Sequence, residues 1–337
     1  MKWLHISDLH YNPRGQKFDT NQLLLKMNEY FDKHGIAVDE IFYTGDFRYA
    51  KTQEATLENA RLAAGKLKDI ASHVGVTDTS HIHIVPGNHD LERGEAFLLE
   101  QAYSQYGDGE FSGFVKHNRK QVSCADYLSS RFQFFLLVAS ELNNKIWLNA
   151  PTGGCPSCHR SDKIGKQFKI VYLNTALGCG RDDERTKLCA GYEYISQAMG
   201  SIDSSLPTIV LGHHGLGCFA RKEKEQILEI FNQHKVRLYL CGDEHVGGFD
   251  EFNPLLQLTA GCLNRDERGV DPTFYIGDME NDGSFNMKAY AYKSGAYPGW
   301  MLDEPLCDRI GNWTNKAFPL QESSVSPLCK NDEYDEY

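Results

Sequence analysis

Five short apolar runs in this chain each end in Gly or Ser beside side chains that bind cations. They are Ile6-Ser7-Asp8-Leu9-His10, Thr44-Gly45-Asp46, Pro86-Gly87-Asn88-His89-Asp90, Leu211-Gly212-His213-His214 and Cys241-Gly242-Asp243-Glu244-His245. A short apolar run bounded by turn residues predicts a buried strand. The glycines let the backbone turn sharply at its end. Taken singly, an Asp-x-His or an Asn-His-Asp is an ordinary cap or turn. Five in series are not, and they can serve one purpose only if the strand ends converge. The carboxyl ends of strands in an α/β sheet do converge, on one crevice.

The rest of the pattern agrees with such a sheet. Lys2–Ser7, Ile41–Thr44 and His81–Val85 predict strands, separated by amphipathic helices over Thr20–His34 and Glu54–His73. That β-α-β-α-β order implies parallel strands with helices on their faces. Residues 95–143 are aromatic-rich and predict a helical insertion. Lys145–Leu148 and Phe168–Asn174 predict strands, Tyr192–Gly200 a short helix. Thr208–Gly212, a helix over Lys222–His234 and Val236–Cys241 resume the alternation. Beyond Val246 the expectation is β-rich: Leu255–Ala260, Thr273–Ile276 and Phe285–Tyr292. The expected division is a core over 1–265, a β-rich extension over 266–325 packed on it, and an acidic, disordered tail over 326–337.

The formal charge of −11 gives no counterion-release term for gripping duplex DNA, which disfavours a stand-alone duplex binder. No run reaches the roughly 20 apolar residues of a membrane span. The ten cysteines are scattered, and several lie in apolar runs. That pattern predicts reduced, buried thiols and a cytoplasmic location.

Asp8-x-His10, Gly45-Asp46, Gly87-Asn88-His89-Asp90 and His213-His214 resemble the motifs of the calcineurin-like metallophosphoesterases. The likeness runs from Met1 to about Ala260. The fuller stretches His5–His10 and Ile84–Asp90, with Leu173-Asn174-Thr175-Ala176, resemble the bacterial, non-protein-phosphatase branch. The resemblance implies an αββα sandwich with a two-metal centre between its sheets. It implies that Asp8, His10 and His245 hold one metal, that Asp46 bridges, and that Asn88 and His213 hold the other. It makes His89 the general acid, with Asp90 as its orienting partner. A metal-bridging hydroxide would then attack phosphorus in line with the leaving oxygen. The expected cofactor is two divalent ions, manganese first, with iron, zinc, nickel and magnesium as alternatives.

One position departs from the family. Its last motif is usually Gly-His-x-His, and here it is Gly242-Asp243-Glu244-His245. Either Asp243 is a carboxylate ligand, or the second site is weakened, or one metal is bound tightly. The first is favoured because aspartate is a good hard ligand and the rest of the series is intact. Glu244 is expected to point away or to support the ligands. Arg48, Arg93 and His214 are candidates for contact with a substrate phosphate, against surface ion pairing or simple packing. Cys155-Pro-Ser-Cys158-His159 lacks the second spaced pair of a structural zinc site, so a plain loop is favoured there. Tyr290, Tyr292, Tyr297 and Trp300 are candidates to stack on a base, with core packing the commoner role.

These readings predict hydrolysis of a phosphodiester or phosphomonoester of a small, nucleotide-like substrate. The alternatives are a nuclease subunit whose protein partner supplies the basic surface, and a non-catalytic metal-binding regulatory or scaffold domain.

Overall fold

The computed structural model describes residues 1–11, 20–49, 54–149, 158–180, 186–200, 206–264, 270–294 and 298–314. The first unit comprises β1 (Lys2–Ile6), α1 (Thr20–His34), β2 (Glu40–Tyr43), α2 (Leu57–His73) and β3 (Ile82–Ile84). In α2 the buried residues Ala60, Ala63, Ala64, Leu67, Ile70 and Ala71 form one stripe, and Thr56 caps the helix by accepting from the Asn59 N–H. Glu54, the expected start, lies before that cap.

Residues after 95 form α3 (Ala96–Ser104), two small hairpins, α4 (Cys124–Ser130) and α5 (Gln133–Glu141). The hairpins are β4 (Tyr106–Gly107) with β5 (Glu110–Phe111), and β6 (Phe114–His117) with β7 (Lys120–Ser123). The expectation of a mostly helical insertion does not include these hairpins. Their turns place Asp108, Gly109, Asn118 and Arg119 at positive φ, and Asp-Gly is a strong signal for such a turn.

Lys145–Leu148 is a correction: it forms a helical turn, α6, not a strand. The reason lies in β3, an edge strand with carbonyls to satisfy. Asn144 Nδ2 donates to the Ile82 carbonyl at 3.2 Å and Trp147 Nε1 to the Ile84 carbonyl at 2.8 Å. Only a turned backbone brings these side chains to one edge, and a run of four residues is too short for periodicity to choose.

The second unit comprises β8 (His159–Ile164), β9 (Phe168–Leu173), α7 (Tyr192–Gly200), β10 (Thr208–Leu211), α8 (Arg221–Gln233), β11 (Val236–Cys241), β12 (Gly248–Phe252) and β13 (Leu255–Thr259). The chain then adds β14 (Thr273–Met279), β15 (Phe285–Lys293), β16 (Gly299–Leu302) and α9 (Glu304–Thr314).

Two six-stranded mixed sheets result, ordered β16-β15-β14-β1-β2-β3 and β12-β13-β11-β10-β9-β8. With their helices they form the αββα sandwich. The first sheet is parallel through β1-β2-β3, out to its β3 edge, and antiparallel on the other side through β14, β15 and β16; the second is parallel in the middle, through β9-β10-β11-β13, and antiparallel at both margins. The parallel strands are apolar almost throughout because both faces are covered; every residue of β9 and β10 is buried. β15 instead alternates, with Phe285, Met287 and Ala289 buried and Asn286 and Lys288 exposed. β14 pairs antiparallel with β1 from Lys2–Asp278 to His5–Tyr275, so the described residues after 270 widen the first sheet by three strands. Trp300 and Phe274 pack inside that region, and Trp300 Nε1 donates to the Leu23 carbonyl. Tyr297 lies outside the described residues. Among the described residues no helix is long and apolar enough to cross a membrane.

Candidate metal centre

The ends of β1, β2 and β3 in one sheet face the ends of β10 and β11 in the other. There the chain takes an uncommon conformation. Asp8, His10, Asp46, Asp243 and His245 all have left-handed backbones, with φ between 43° and 69°. A side chain in that region costs energy, and such residues gather where geometry serves a function. Two glycines make the approach close enough. Gly45 has φ +99°, and a Cβ there would meet His213 Nδ1 at 2.7 Å. A Cβ on Gly242 would meet Ser7 Oγ at 2.0 Å and Asp8 Oδ2 at 2.4 Å.

Within this crevice two groups of donor atoms share one carboxylate. His10 Nε2 lies 3.5 Å from Asp8 Oδ1 and 3.0 Å from His245 Nε2, and His245 Nε2 lies 3.4 Å from Asp8 Oδ1. His213 Nε2 lies 3.3 Å from Asn88 Oδ1 and 3.8 Å from Asp243 Oδ1. Asp46 Oδ2 stands between them, 3.6 Å from His10 Nε2 and 3.4 Å from His213 Nε2. Backbone carbonyls set both rings: His10 Nδ1 donates to Arg48 at 3.2 Å and His213 Nδ1 to Thr44 at 2.6 Å, which turns each Nε2 inward.

These residues suit divalent cations. Asp8 Oδ1 is buried without a hydrogen-bond partner, an expensive state unless a cation fills it. Against the effect of burial, the neighbouring histidines hold Asp8 and Asp46 below the usual carboxylate range, and the carboxylates raise His213 well above the usual imidazole range. The cluster thus draws positive charge to its centre. The donor set of imidazole, carboxylate and amide oxygen fits the harder first-row ions.

The other expected site residues take distinct places. His89 is half-buried, its ring 4.9 Å from that of His10 and stacked on Tyr49 at 5.0 Å and 19°. Its backbone N–H donates to Asp46 Oδ1 at 2.8 Å, and burial pushes the pKa of its ring down to about 4. Asp90 accepts from the backbone N–H groups of Asp46, Phe47 and Gly87 at 2.9–3.0 Å, so it ties the turns that carry Asp46 and Asn88 together. Burial, then Asp46, pushes the Asp90 pKa up to about 7. Arg48 is buried rather than at the surface: it donates to the carbonyls of His89 and Leu91 and lies over Phe134. Arg93 is exposed. His214 is buried beside Asp243, its Nε2 3.9 Å from Asp243 Oδ1, and burial pushes its pKa down to about 4. Glu244 lies with Asp243 and Cys218, their donor atoms within 4.8 Å of one another.

Sequence reasoning assigned no role to Tyr49, Thr175 or Cys218. Thr175 had a visible signal, since it follows β9 at the same sheet edge as the ligands. The other two carry none. Cys155 lies outside the described residues. Cys158 is buried near Ser129, and both ring nitrogens of His159 are engaged, one accepting from the Asn174 N–H and one donating to the Ala190 carbonyl. The eight described cysteines are free thiols, seven of them buried.

Residues 1–247 match the calcineurin-like phosphoesterase family, and the chain belongs to it. The family is one of metal-dependent enzymes. The chain is 23% identical over 314 residues to the uncharacterized metallophosphoesterase-like protein YydB of Bacillus subtilis, covering 89% of this chain. It spans only 61% of that relative's length. Among solved structures, the Plasmodium inner-membrane-complex anchor GAP50 is 9% identical, covering 90% of this chain and 88% of its own, with a TM-score of 0.45. Entamoeba histolytica Vps29 complexed with zinc is 13% identical, covering 90% and 99%, with a TM-score of 0.36.

Proposed function

We propose that this chain is a phosphoesterase with a dinuclear metal centre, acting on a phosphodiester or phosphomonoester of a small, nucleotide-like substrate. The observation that carries this reading is Asp46 Oδ2, within 3.6 Å of one inward-facing imidazole from the first sheet and 3.4 Å of one from the second. Asp8, His10 and His245 would hold one cation, Asn88, His213 and Asp243 the other, with Asp46 common to both. When bound, the pair supplies charge to clamp a phosphoryl group and acidity to activate water.

The chain's own groups do the rest. Asp90 and Arg48 fix the turns that carry Asp46 and His89. Tyr49 holds the His89 ring edge-on to His10, beside the ligand Asn88. A bound phosphate anion favours the protonated His89 ring, which delivers its proton to the leaving oxygen, a step worth roughly 10²–10⁴-fold. The acidic total charge supports a small substrate over a long polyanion, and manganese suits the oxygen-rich donor set. Hydrolysis of bis-p-nitrophenyl phosphate by the manganese-loaded protein tests the reading. Turnover that survives both EDTA and His10→Ala would sink it.

A further inference from the structure

His213 and His214 are adjacent in sequence, and hydrogen bonding gives their rings opposite tautomers. The Thr175 hydroxyl decides one of them. It has one hydrogen and two lone pairs. Its oxygen lies 3.0 Å from the backbone nitrogen of His213, 3.0 Å from that of His214, and 3.1 Å from His214 Nδ1. The two N–H groups occupy both lone pairs, so the hydroxyl hydrogen goes to His214 Nδ1. An Nδ1 that accepts leaves the ring proton of a neutral imidazole on Nε2. His213 is the reverse: its Nδ1 donates to the Thr44 carbonyl, which leaves Nε2 as the ring atom that faces Asp46 and Asn88 and can give its place to a cation.

Proximity alone would make His214 the histidine missing from the last motif, because the donor atoms of His213, His214 and Asp243 lie within 4.8 Å of one another. The proton on its Nε2 excludes that. We propose that His214 is a fixed Nε2–H donor that positions Asp243 at the second cation and is not itself a ligand. Its Nε2 lies 3.7 Å from Cys179 Sγ, within reach of an N–H···S contact, and 3.9 Å from Asp243 Oδ1. The 3.9 Å to the carboxylate is longer than a hydrogen bond, so the N–H acts on Asp243 as a nearby dipole. It offsets part of the negative charge that Asp243 brings where a neutral imidazole is usual. The purpose of this device rests on the phosphoesterase reading; its test does not.

Two-bond ¹H–¹⁵N correlations of the imidazole rings, recorded near pH 7 before and after zinc is added, read the tautomers directly. The expected result is a proton on His214 Nε2 in both states, with zinc moving the Nε2 resonance of His213. A proton on His214 Nδ1, or a zinc-shifted His214 Nε2, overturns the proposal. Two variants then separate positioning from ligation. His214→Gln keeps an N–H near the Nε2 position, and His214→Ala removes it. By manganese dialysis both should still bind two ions. His214→Ala should weaken the looser one roughly 10–100-fold, the usual cost of a lost supporting partner, and His214→Gln should weaken it less. Equal weakening in both, or loss of a whole ion from His214→Gln, counts against positioning. These readouts stand even if no ester is hydrolysed, so failure of the proposal and failure of the activity remain distinguishable.

Discussion

The two halves of the candidate centre are built to different standards. On the first-sheet side Asp8, His10 and Asp46 are buried, and two of their backbone N–H groups donate to Gly45 and Asp46 across neighbouring turns. On the second-sheet side His213 is equally buried, but the Asp243 side chain, the carboxylate expected at the second cation, is 25% exposed, and that of His245, expected at the first cation beside the fully buried Asp8, is 21% exposed. A carboxylate shielded from water binds a cation against less competition than one in contact with it. The first position is therefore expected to be tight and preformed, and the second looser and the one that tells metals apart.

Removing the shared carboxylate should break the comparison altogether. Asp46→Ala is expected to weaken both cations and to cut turnover beyond the roughly 10–100-fold cost of losing a mere supporting group. Metal analysis after dialysis reads it, and retention of two tight ions would refute the bridging role. His89 is expected to be a ligand in neither half, so His89→Asn should leave both ions in place. Its cost should fall on esters with poor leaving groups, by about 10²–10⁴ in kcat, and spare p-nitrophenolate, which departs without a proton. Equal losses on both substrates would remove the acid role.

The asymmetry itself is sharpened at Asp243. Asp243→Ala should release one ion and keep the other, and Asp243→His should strengthen zinc or nickel binding while moving the alkaline limb of activity to lower pH. Two tight ions in Asp243→Ala would mean that water or Glu244 completes the second site.

The smallest effect concerns support for the second half. His159 holds Asn174, next to Thr175, and burial pushes its pKa from 6.5 down to about 4. The unfolded chain then binds the extra proton between those values. Stability is present in full above pH 6.5 and falls as pH drops towards 4, by at most roughly 3.4 kcal/mol. His159→Asn, which keeps an acceptor for the Asn174 N–H, should flatten that decline in thermal melts taken across the window. An unchanged slope would show that His159 is not the group responsible.

The series of expected ligands was legible because each follows an apolar strand, and strand ends in a sandwich of this kind have one place to go. Asp8, His10, Asp46, Asn88, His213 and His245 meet there for that reason. What the sequence hid was decided by partners distant along the chain. Arg48 reads as a free cation two residues past a ligand, yet the carbonyls of His89 and Leu91 claim it. Asp90 reads as a companion for His89, yet backbone N–H groups from two turns occupy it. Lys145–Leu148 reads as a strand because four apolar-rich residues carry no period, and the edge of β3 decides its shape. His213 and His214 look identical in sequence; Thr44 and Thr175 make them opposites.

The left-handed backbones at Asp8, His10, Asp46, Asp243 and His245 bear on how this chain would drift. Each costs about 1 kcal/mol relative to an ordinary conformation, and glycine or asparagine would relieve much of it. Asp8 Oδ2 and Asp46 Oδ1 do accept the backbone N–H groups of Asp243 and His89, but an asparagine oxygen would serve those bonds without the charge. A lineage released from binding cations would gain stability by replacing them, so intact Asp and His at all five are what selection for binding, rather than for folding, would preserve.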